Sequence, residues 1–284
     1  MAFNLLELAR GKGRKVNLYL FRYGVQSGNI FAYTSHTQSI VKGGVTYLPV
    51  PISRGSIVVK GTMDKSSLEV RTSVALPIAE LFRVYPPTQV ISLTIFEGHL
   101  NDPDAEYKTC WSGRVTSAKR DVNELLMSCE PSRTMLRRYG LRRFYQYSCP
   151  HILYGSQCGA SKTATKLHRT DYSISGLTIA LPNADSFSSV ADNYLGGLVE
   201  WDNAIGEREI RTIIAITKRV AGVGTNTVTV SGNLRGLTTA TPVDLFAGCS
   251  HDLAGCGFHS NVDNFGGCPY IPKKNPVGST TLYY

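Results

Sequence analysis

Twenty residues near the end of the chain, CSHDLAGCGFHSNVDNFGGC from Cys249 to Cys268, hold three cysteines, two histidines, two aspartates and four glycines. Side chains of these types can staple loops, bind a soft metal or act as nucleophile and base. A second stretch, CPHILYGSQCG, carries Cys149 and Cys158. The first pair is nine residues apart, the pair Cys249 and Cys256 is seven apart, and about ninety residues lie between the pairs. Each pair sits in a segment that reads as a Gly-rich loop, which lets backbone approach an inorganic centre and aims amides at its sulfurs. Four thiolates suit a tetrahedral zinc ion or an iron–sulfur cluster. Structural zinc favours C-x2–4-C knuckles, and both spacings here are longer, so they lean toward the wider cluster while leaving zinc open. His151, His251 and His259 could serve zinc, but their spacing does not demand it, and polar or packing roles are expected for them.

A catalytic thiol can also be drawn, with Cys268 or Cys256 as nucleophile and His259 and Asp263 as base and orienter. These residues are neighbours within one loop, whereas such sets are normally gathered from distant segments. The chain has no P-loop, H-E-x-x-H, G-x-S-x-G or Rossmann fingerprint. Asp102, Asp104 and Glu106 in NDPDAEY read as a solvated turn, with weak calcium binding as the remote alternative. No signal-peptide pattern opens the sequence, and no apolar run approaches the roughly 18 residues that span a bilayer. Folding in a cytoplasm is therefore expected, with the seven cysteines reduced. Cys110 and Cys129 lie in β patterns and read as core residues.

The elements that must position these cysteines are mostly strands. FNLLELARGKG reads as a short helix with Leu5, Leu6 and Ala9 on one face. VNLYLFRYG, NIFAYTS, GGVTYLPVP, SIVVKG, SLEVRTSVA, QVISLTIFEG and CWSGRVTSAKR follow at roughly ten-residue intervals, bounded by Gly, Pro, Asn and Asp. This predicts an antiparallel β-barrel or sandwich over residues 1–145. ALPIAELFRVYPP adds a turn or two of helix stopped by Pro86-Pro87, and the segment after Pro131 turns helical. Residues 146–284 form a second domain, in which a β insertion at about 165–247 separates the two cysteine pairs. A Pro-rich tail follows.

The net charge of +9 permits an acidic partner without fixing one. Part of it falls in RTMLRRYGLRRFYQY, where Arg133, Arg137, Arg138, Arg142 and Arg143 alternate with Tyr139, Phe144, Tyr145 and Tyr147. A nucleic-acid patch with stacking aromatics is one reading. The preferred reading is a surface segment whose aromatics pack inward, because no RNP, KH or helix-turn-helix signature accompanies it.

GCSHDLAGCGFHSNVDNFGGCPYIP and CPHILYGSQCG together resemble, in order and spacing, the C-terminal signature of tail-tip hub proteins of long-tailed bacteriophages, a family that includes those of lambda-type phages and gene-transfer particles. The first 145 residues agree with it only in β texture. The resemblance implies a four-iron–four-sulfur cluster on Cys149, Cys158, Cys249 and Cys256. Tyr154, Gly155, Gly159, Phe258, Asn264, Phe265, Gly266 and Gly267 would surround it. Cys268 stands where relatives commonly carry Phe, and a packed thiol is expected. The resemblance further implies a structural, non-enzymatic virion protein at the tail tip, assembled in the host cytoplasm. Such hubs form a ring, read as a homotrimer. Their partners are the distal tail ring protein, the central fibre or receptor-binding protein and, as a further candidate, the tape-measure protein, with no membrane segment and no sequence-specific nucleic-acid binding. A zinc-stabilised nucleic-acid-binding module and a cysteine or redox enzyme are the alternatives.

Overall fold

The computed structural model describes residues 2–9, 11–24, 29–58, 67–83, 87–137, 140, 144–182, 187, 190–203, 206–218 and 225–271. The chain is mainly β and divides into two compact units, Met1–Tyr139 and Gly140–Tyr284.

The first unit opens with helix α1 (Ala2–Leu8). Strands β1 (Lys15–Tyr23), β2 (Ile30–Thr34), β3 (Ile40–Lys42), β4 (Val45–Pro49), β5 (Ile52–Arg54) and β6 (Leu68–Ser73) follow. One helical turn, α2 (Pro77–Glu80), then precedes β7 (Ile91–His99), β8 (Tyr107–Asp121) and β9 (Glu124–Pro131). The nine strands make one sheet in the order β3-β4-β2-β1-β7-β8-β9-β6-β5. Its end strands β3 and β5 do not pair, so the expected barrel is a half-barrel. Every pairing is antiparallel except β2 with β4.

β1 explains how the sheet is covered. Tyr19, Phe21 and Tyr23 join one buried cluster with Leu93, Ile95, Met127 and Cys129. The alternate residues Val16, Leu18 and Leu20 join a second cluster with Ala32 and Tyr47. Alternation along a strand sends successive side chains to opposite faces, so a strand apolar at both parities is covered on both sides. β6 instead alternates buried and exposed residues through Leu68, Glu69, Val70 and Arg71, as its sequence predicts. Cys110 is the extra residue of a bulge between β7 and β8, where the register slips between Ile95 and Phe96. The segment after Pro131 is a 3-10 helix, Ser132–Arg137.

In NDPDAEY the solvated reading fails for its first acid. Asp102 is buried and accepts backbone N–H bonds from Asp104 (3.1 Å) and Glu106 (3.2 Å). The carboxylate closes its own turn, which removes it from water.

The second unit carries β10 (Leu167–Arg169), β11 (Ser173–Ser175), β12 (Thr178–Leu181), β13 (Leu198–Asp202), β14 (Arg208–Thr217), β15 (Asn226–Val230) and β16 (Val243–Phe246). They form an antiparallel sheet in the order β10-β16-β13-β14-β15-β12-β11. Trp201 is fully buried in its core beside Val199, Val228 and Leu245, and its indole N–H donates to the Arg235 carbonyl at 2.8 Å. On neighbouring strands, Asp244 accepts from His168 (2.7 Å), Lys166 (3.0 Å) and Arg208, while Glu200 accepts from Lys162 and Arg208. Burial alone would raise the Asp244 carboxyl; the hydrogen bonds from His168, Arg208 and Lys166 outweigh it and hold the pKa down at about 2.

The first and last strands of this sheet by sequence, β10 and β16, are paired neighbours, with Leu167 opposite Leu245 and Arg169 opposite Val243. The segment therefore leaves and returns at one place, and each of its ends leads into a cysteine pair.

Candidate metal centre

The cysteine-bearing segments lie on either side of the sheet in sequence. The first, from Cys149 to Cys158, is a run of turns in which Gly155 N–H donates to the Ile152 carbonyl (3.0 Å) and Gly159 N–H to the Gly155 carbonyl (2.9 Å). Tyr154 holds a left-handed backbone (φ 60°). Its hydroxyl donates to the Ala247 carbonyl at 2.6 Å, tying this turn to the chain just after β16.

The second segment departs from β16 through Ala247 and Gly248. A side chain at Gly248 would meet the Leu195 carbonyl oxygen at 1.9 Å, so the close approach of these backbones requires glycine. The Gly248 carbonyl accepts from His259 Nε2 at 2.8 Å. The chain then forms a short helix, α3 (Leu253–Phe258), where the sequence reads as a Gly-rich loop. Asp252 starts it: its carboxylate accepts from Gly255 N–H at 2.7 Å and from the Ser250 hydroxyl at 2.6 Å. A side-chain cap satisfies an orphan amide of the first turn, and it offsets the low helix propensity of two glycines. Cys256 thus sits buried on a helix, and Cys249 on the strand-to-helix connection.

All four predicted thiols are free, and Cys249 and Cys256 interact electrostatically with each other and with Cys149 and Cys158. Burial pushes the Cys256 thiol up, and Cys249, Cys149 and Cys158 push it further. Burial also raises Cys249; the His251 amide pulls it back, and Cys158 and Cys149 add to the rise. Thiolates in such proximity resist joint ionisation unless a cation offsets their charge. Among the described residues, no three His, Cys, Asp or Glu side chains converge closely enough to hold a single metal ion.

Three of the sulfurs face hydrogen-bond donors. Gly266 N–H points at Cys149 Sγ (3.4 Å), His251 N–H at Cys249 Sγ (3.4 Å) and the Asn261 side-chain amide at Cys158 Sγ (3.6 Å). The two segments are also sewn together. Cys149 N–H donates to the His251 carbonyl at 2.8 Å, and His251 Nδ1 donates to the Cys149 carbonyl at 3.0 Å. His251 takes the polar role expected of it, as the staple between segments about a hundred residues apart.

The other predicted surroundings take different places. Gly266 allows its approach to Cys149 because a side chain there would strike the ring of buried His151 at 2.5 Å. Gly267 lies against the Tyr147 carbonyl and the Phe265 ring, and Phe265 N–H donates to the Val262 carbonyl at 3.0 Å. Asn264 donates to Asn261 and passes beside Gly159. Phe258 is half exposed and packs edge-on against His259. Cys268, only partly buried, is bound through its backbone, N–H to the Gln146 carbonyl at 2.8 Å. Asn261, absent from the expected set, contacts two of the four cysteines.

In the arginine-rich segment, Phe144 and Tyr145 are exposed, contrary to the expected inward packing. Residues 144–146 lie in neither helix nor strand, and the Gln146 carbonyl accepts from Cys268 N–H at 2.8 Å. Arg138, Tyr139, Arg142 and Arg143 lie outside the described residues.

Comparison with known proteins brings four findings. Residues 12–161 match a family model described as "Baseplate hub protein, N-terminal attachment domain". Residues 192–275 match the model of "Phage conserved hypothetical protein BR0599". The first match takes in Cys149 and Cys158, the second Cys249 and Cys256. An uncharacterized protein of Xylella fastidiosa (strain 9a5c) is 26% identical over 182 residues, which is 60% of this chain and 37% of that protein. The chain thus spans well under half the length of this curated relative. A chain in the structure of the virion of a native gene transfer agent particle superposes with a TM-score of 0.75 at 15% identity, covering 99% of this chain and 96% of the other. At that identity the likeness is one of fold.

Proposed function

The chain belongs to the phage baseplate hub family defined by the N-terminal attachment domain, making it a structural protein of the virion tail, and we propose that it is the distal hub that joins the tail tube to the receptor-binding or central-fibre assembly. In this reading the half-barrel unit builds a homotrimeric ring against the distal tail ring protein, and assembly takes place in the host cytoplasm. The second unit carries a structural four-iron–four-sulfur cluster on Cys149, Cys158, Cys249 and Cys256.

One observation carries the cluster reading: four free thiols from two distant segments lie near enough for Cys249 and Cys256 to interact electrostatically with the other two, and three of the four have an N–H donor aimed at the sulfur. Hydrogen-bonded cysteine sulfurs are the usual setting of iron–sulfur clusters. The thiols are close enough for their charges to interact, and the long spacings within each pair lean toward a cluster over a zinc knuckle. When bound, the cluster would supply four Fe–S bonds that cross-link the segments, and metal-binding free energy would become folding free energy. The chain's own residues prepare this: His251 fastens the two segments, and Gly248 and Asp252 set the directions of Cys249 and Cys256.

Elemental analysis of anaerobically prepared protein tests the proposal. About four irons and four sulfides per chain, lost in Cys158→Ser and Cys249→Ser together with infectivity of the particles, is the expected result. One zinc and no iron overturns the cluster; full infectivity of either variant overturns its structural role.

A further inference from the structure

Asn261 stands between two of the four cysteines and is almost fully buried. Its backbone N–H donates to the Cys256 carbonyl at 3.1 Å, a bond that ligation of the cysteine leaves in place, and its carbonyl accepts from the protonated Cys256 thiol at 2.9 Å, a bond that a ligating thiolate gives up. Its side-chain amide nitrogen reaches the Cys158 carbonyl at 2.6 Å and Cys158 Sγ at 3.6 Å. The orientation of that amide is not free. Asn264 Nδ2 donates to Asn261 Oδ1 at 2.7 Å, so the oxygen is held on the Asn264 side and the nitrogen faces Cys158. Asn264 itself passes beside Gly159, where an added side chain would stand 3.3 Å from its amide nitrogen. A chain of contacts therefore runs from Gly159 through Asn264 and Asn261 to the sulfur of Cys158.

We propose that Asn261, oriented by Asn264, is the positioning residue of this centre: it holds Cys158 and Cys256 at a fixed separation and supplies the N–H bond to the Cys158 sulfur that sets how firmly a cluster is retained and how readily it is reduced. The proposal rests on the cluster reading above and goes beyond its ligand set. An N–H donor stabilises negative charge on the sulfur, so it favours the reduced cluster and raises the reduction potential. Outer-shell partners of metal ligands typically contribute about 10–100-fold to metal retention. The buried amide also has a donor for each acceptor beside it, so its loss leaves the Cys158 carbonyl unpaired.

The test compares wild type, Asn261→Asp and Asn264→Ala, prepared anaerobically and checked for native fold by circular dichroism. Asn261→Asp keeps the shape of the side chain and replaces its donor with a carboxylate. Asn264→Ala leaves Asn261 in place and frees its amide to turn. Two readouts are followed: the rate at which an iron chelator bleaches the cluster absorbance, and the reduction potential from a dye-mediated titration. Bleaching about 10–100-fold faster in Asn261→Asp, a smaller acceleration in Asn264→Ala and a potential more negative than wild type in both support the proposal. Loaded Asn261→Asp with wild-type bleaching and potential overturns it. Should Asn261→Asp fail to fold or load, Asn264→Ala decides alone, and wild-type values there overturn the proposal. Wild-type protein without iron and sulfide overturns the cluster reading itself, an outcome distinct from a loaded wild type with indifferent variants.

Discussion

Asp244 offers the sharpest test of what holds the second unit together. Its carboxylate is buried on β16 and receives His168, Lys166 and Arg208. Its pKa in the fold is about 2, against a starting value of 3.8. A carboxyl depressed on folding contributes stability above its unfolded pKa and loses it as pH falls toward the folded value. At 1.36 kcal/mol per pKa unit the contribution is about 2.5 kcal/mol near neutrality, of which about 1.5 kcal/mol is gone by pH 2.5. Asp244→Asn removes this linked term and should flatten the acid limb of the stability curve by about 1.5 kcal/mol down to pH 2.5, while costing about 3 kcal/mol at pH 7 through the lost ion pairs. The chain has two tryptophans, Trp111 in the first unit and Trp201 in the second. In a Trp111→Phe background the emission of buried Trp201 therefore reports urea unfolding of the second unit. Parallel pH profiles of Asp244→Asn and its parent between pH 5 and pH 2.5 would refute the argument.

Two further outcomes follow from the packing. Gly248→Ala forces a methyl into the Leu195 carbonyl and should cost about 3 kcal/mol, seen as a lower urea midpoint for Trp201, and it should weaken metal retention because Cys249 is the next residue. Burial pushes the Cys129 thiol up to about 12, leaving on the order of one thiolate in ten thousand at pH 8, so Cys129 should resist iodoacetamide in native protein and react only after unfolding, as read by peptide mass spectrometry.

Much of the framework is legible in residue patterns. The alternation in SLEVRTSV is β6, and the runs QVISLTIFEG and CWSGRVTSAKR fall on β7 and β8, because each is a β-branched or aromatic run that ends in turn-forming residues. What pattern alone does not convey are features set by contacts far along the chain or by a single cap. LAGCGF has the composition of a loop and becomes α3 because Asp252 caps it. Asp102 looks solvated and is buried by the bonds it makes to its own turn. At the candidate centre, the cysteines stand out by type and spacing. The roles of His251 and Asn261 do not, since they arise from a left-handed backbone at His251 (φ 60°) and from partners about a hundred residues away.

The pairing of β10 with β16 has a consequence for how such chains can change. Because the sheet begins and ends on adjacent strands, everything between them is a cassette with its two leads side by side. The cysteine segments meet those leads and the turn just before β13, where Gly248 N–H donates to the Asn193 carbonyl at 2.7 Å, and not the β11 side of the sheet. Strands could be added to or removed from the far, β11 side of the sheet without altering the distance between Cys158 and Cys249, and lengthening an already closed loop carries little entropic penalty. The centre is thus insulated from variation in the module it encloses: this sheet could be enlarged, trimmed or exchanged among related particles while the clasp at its base stays the same.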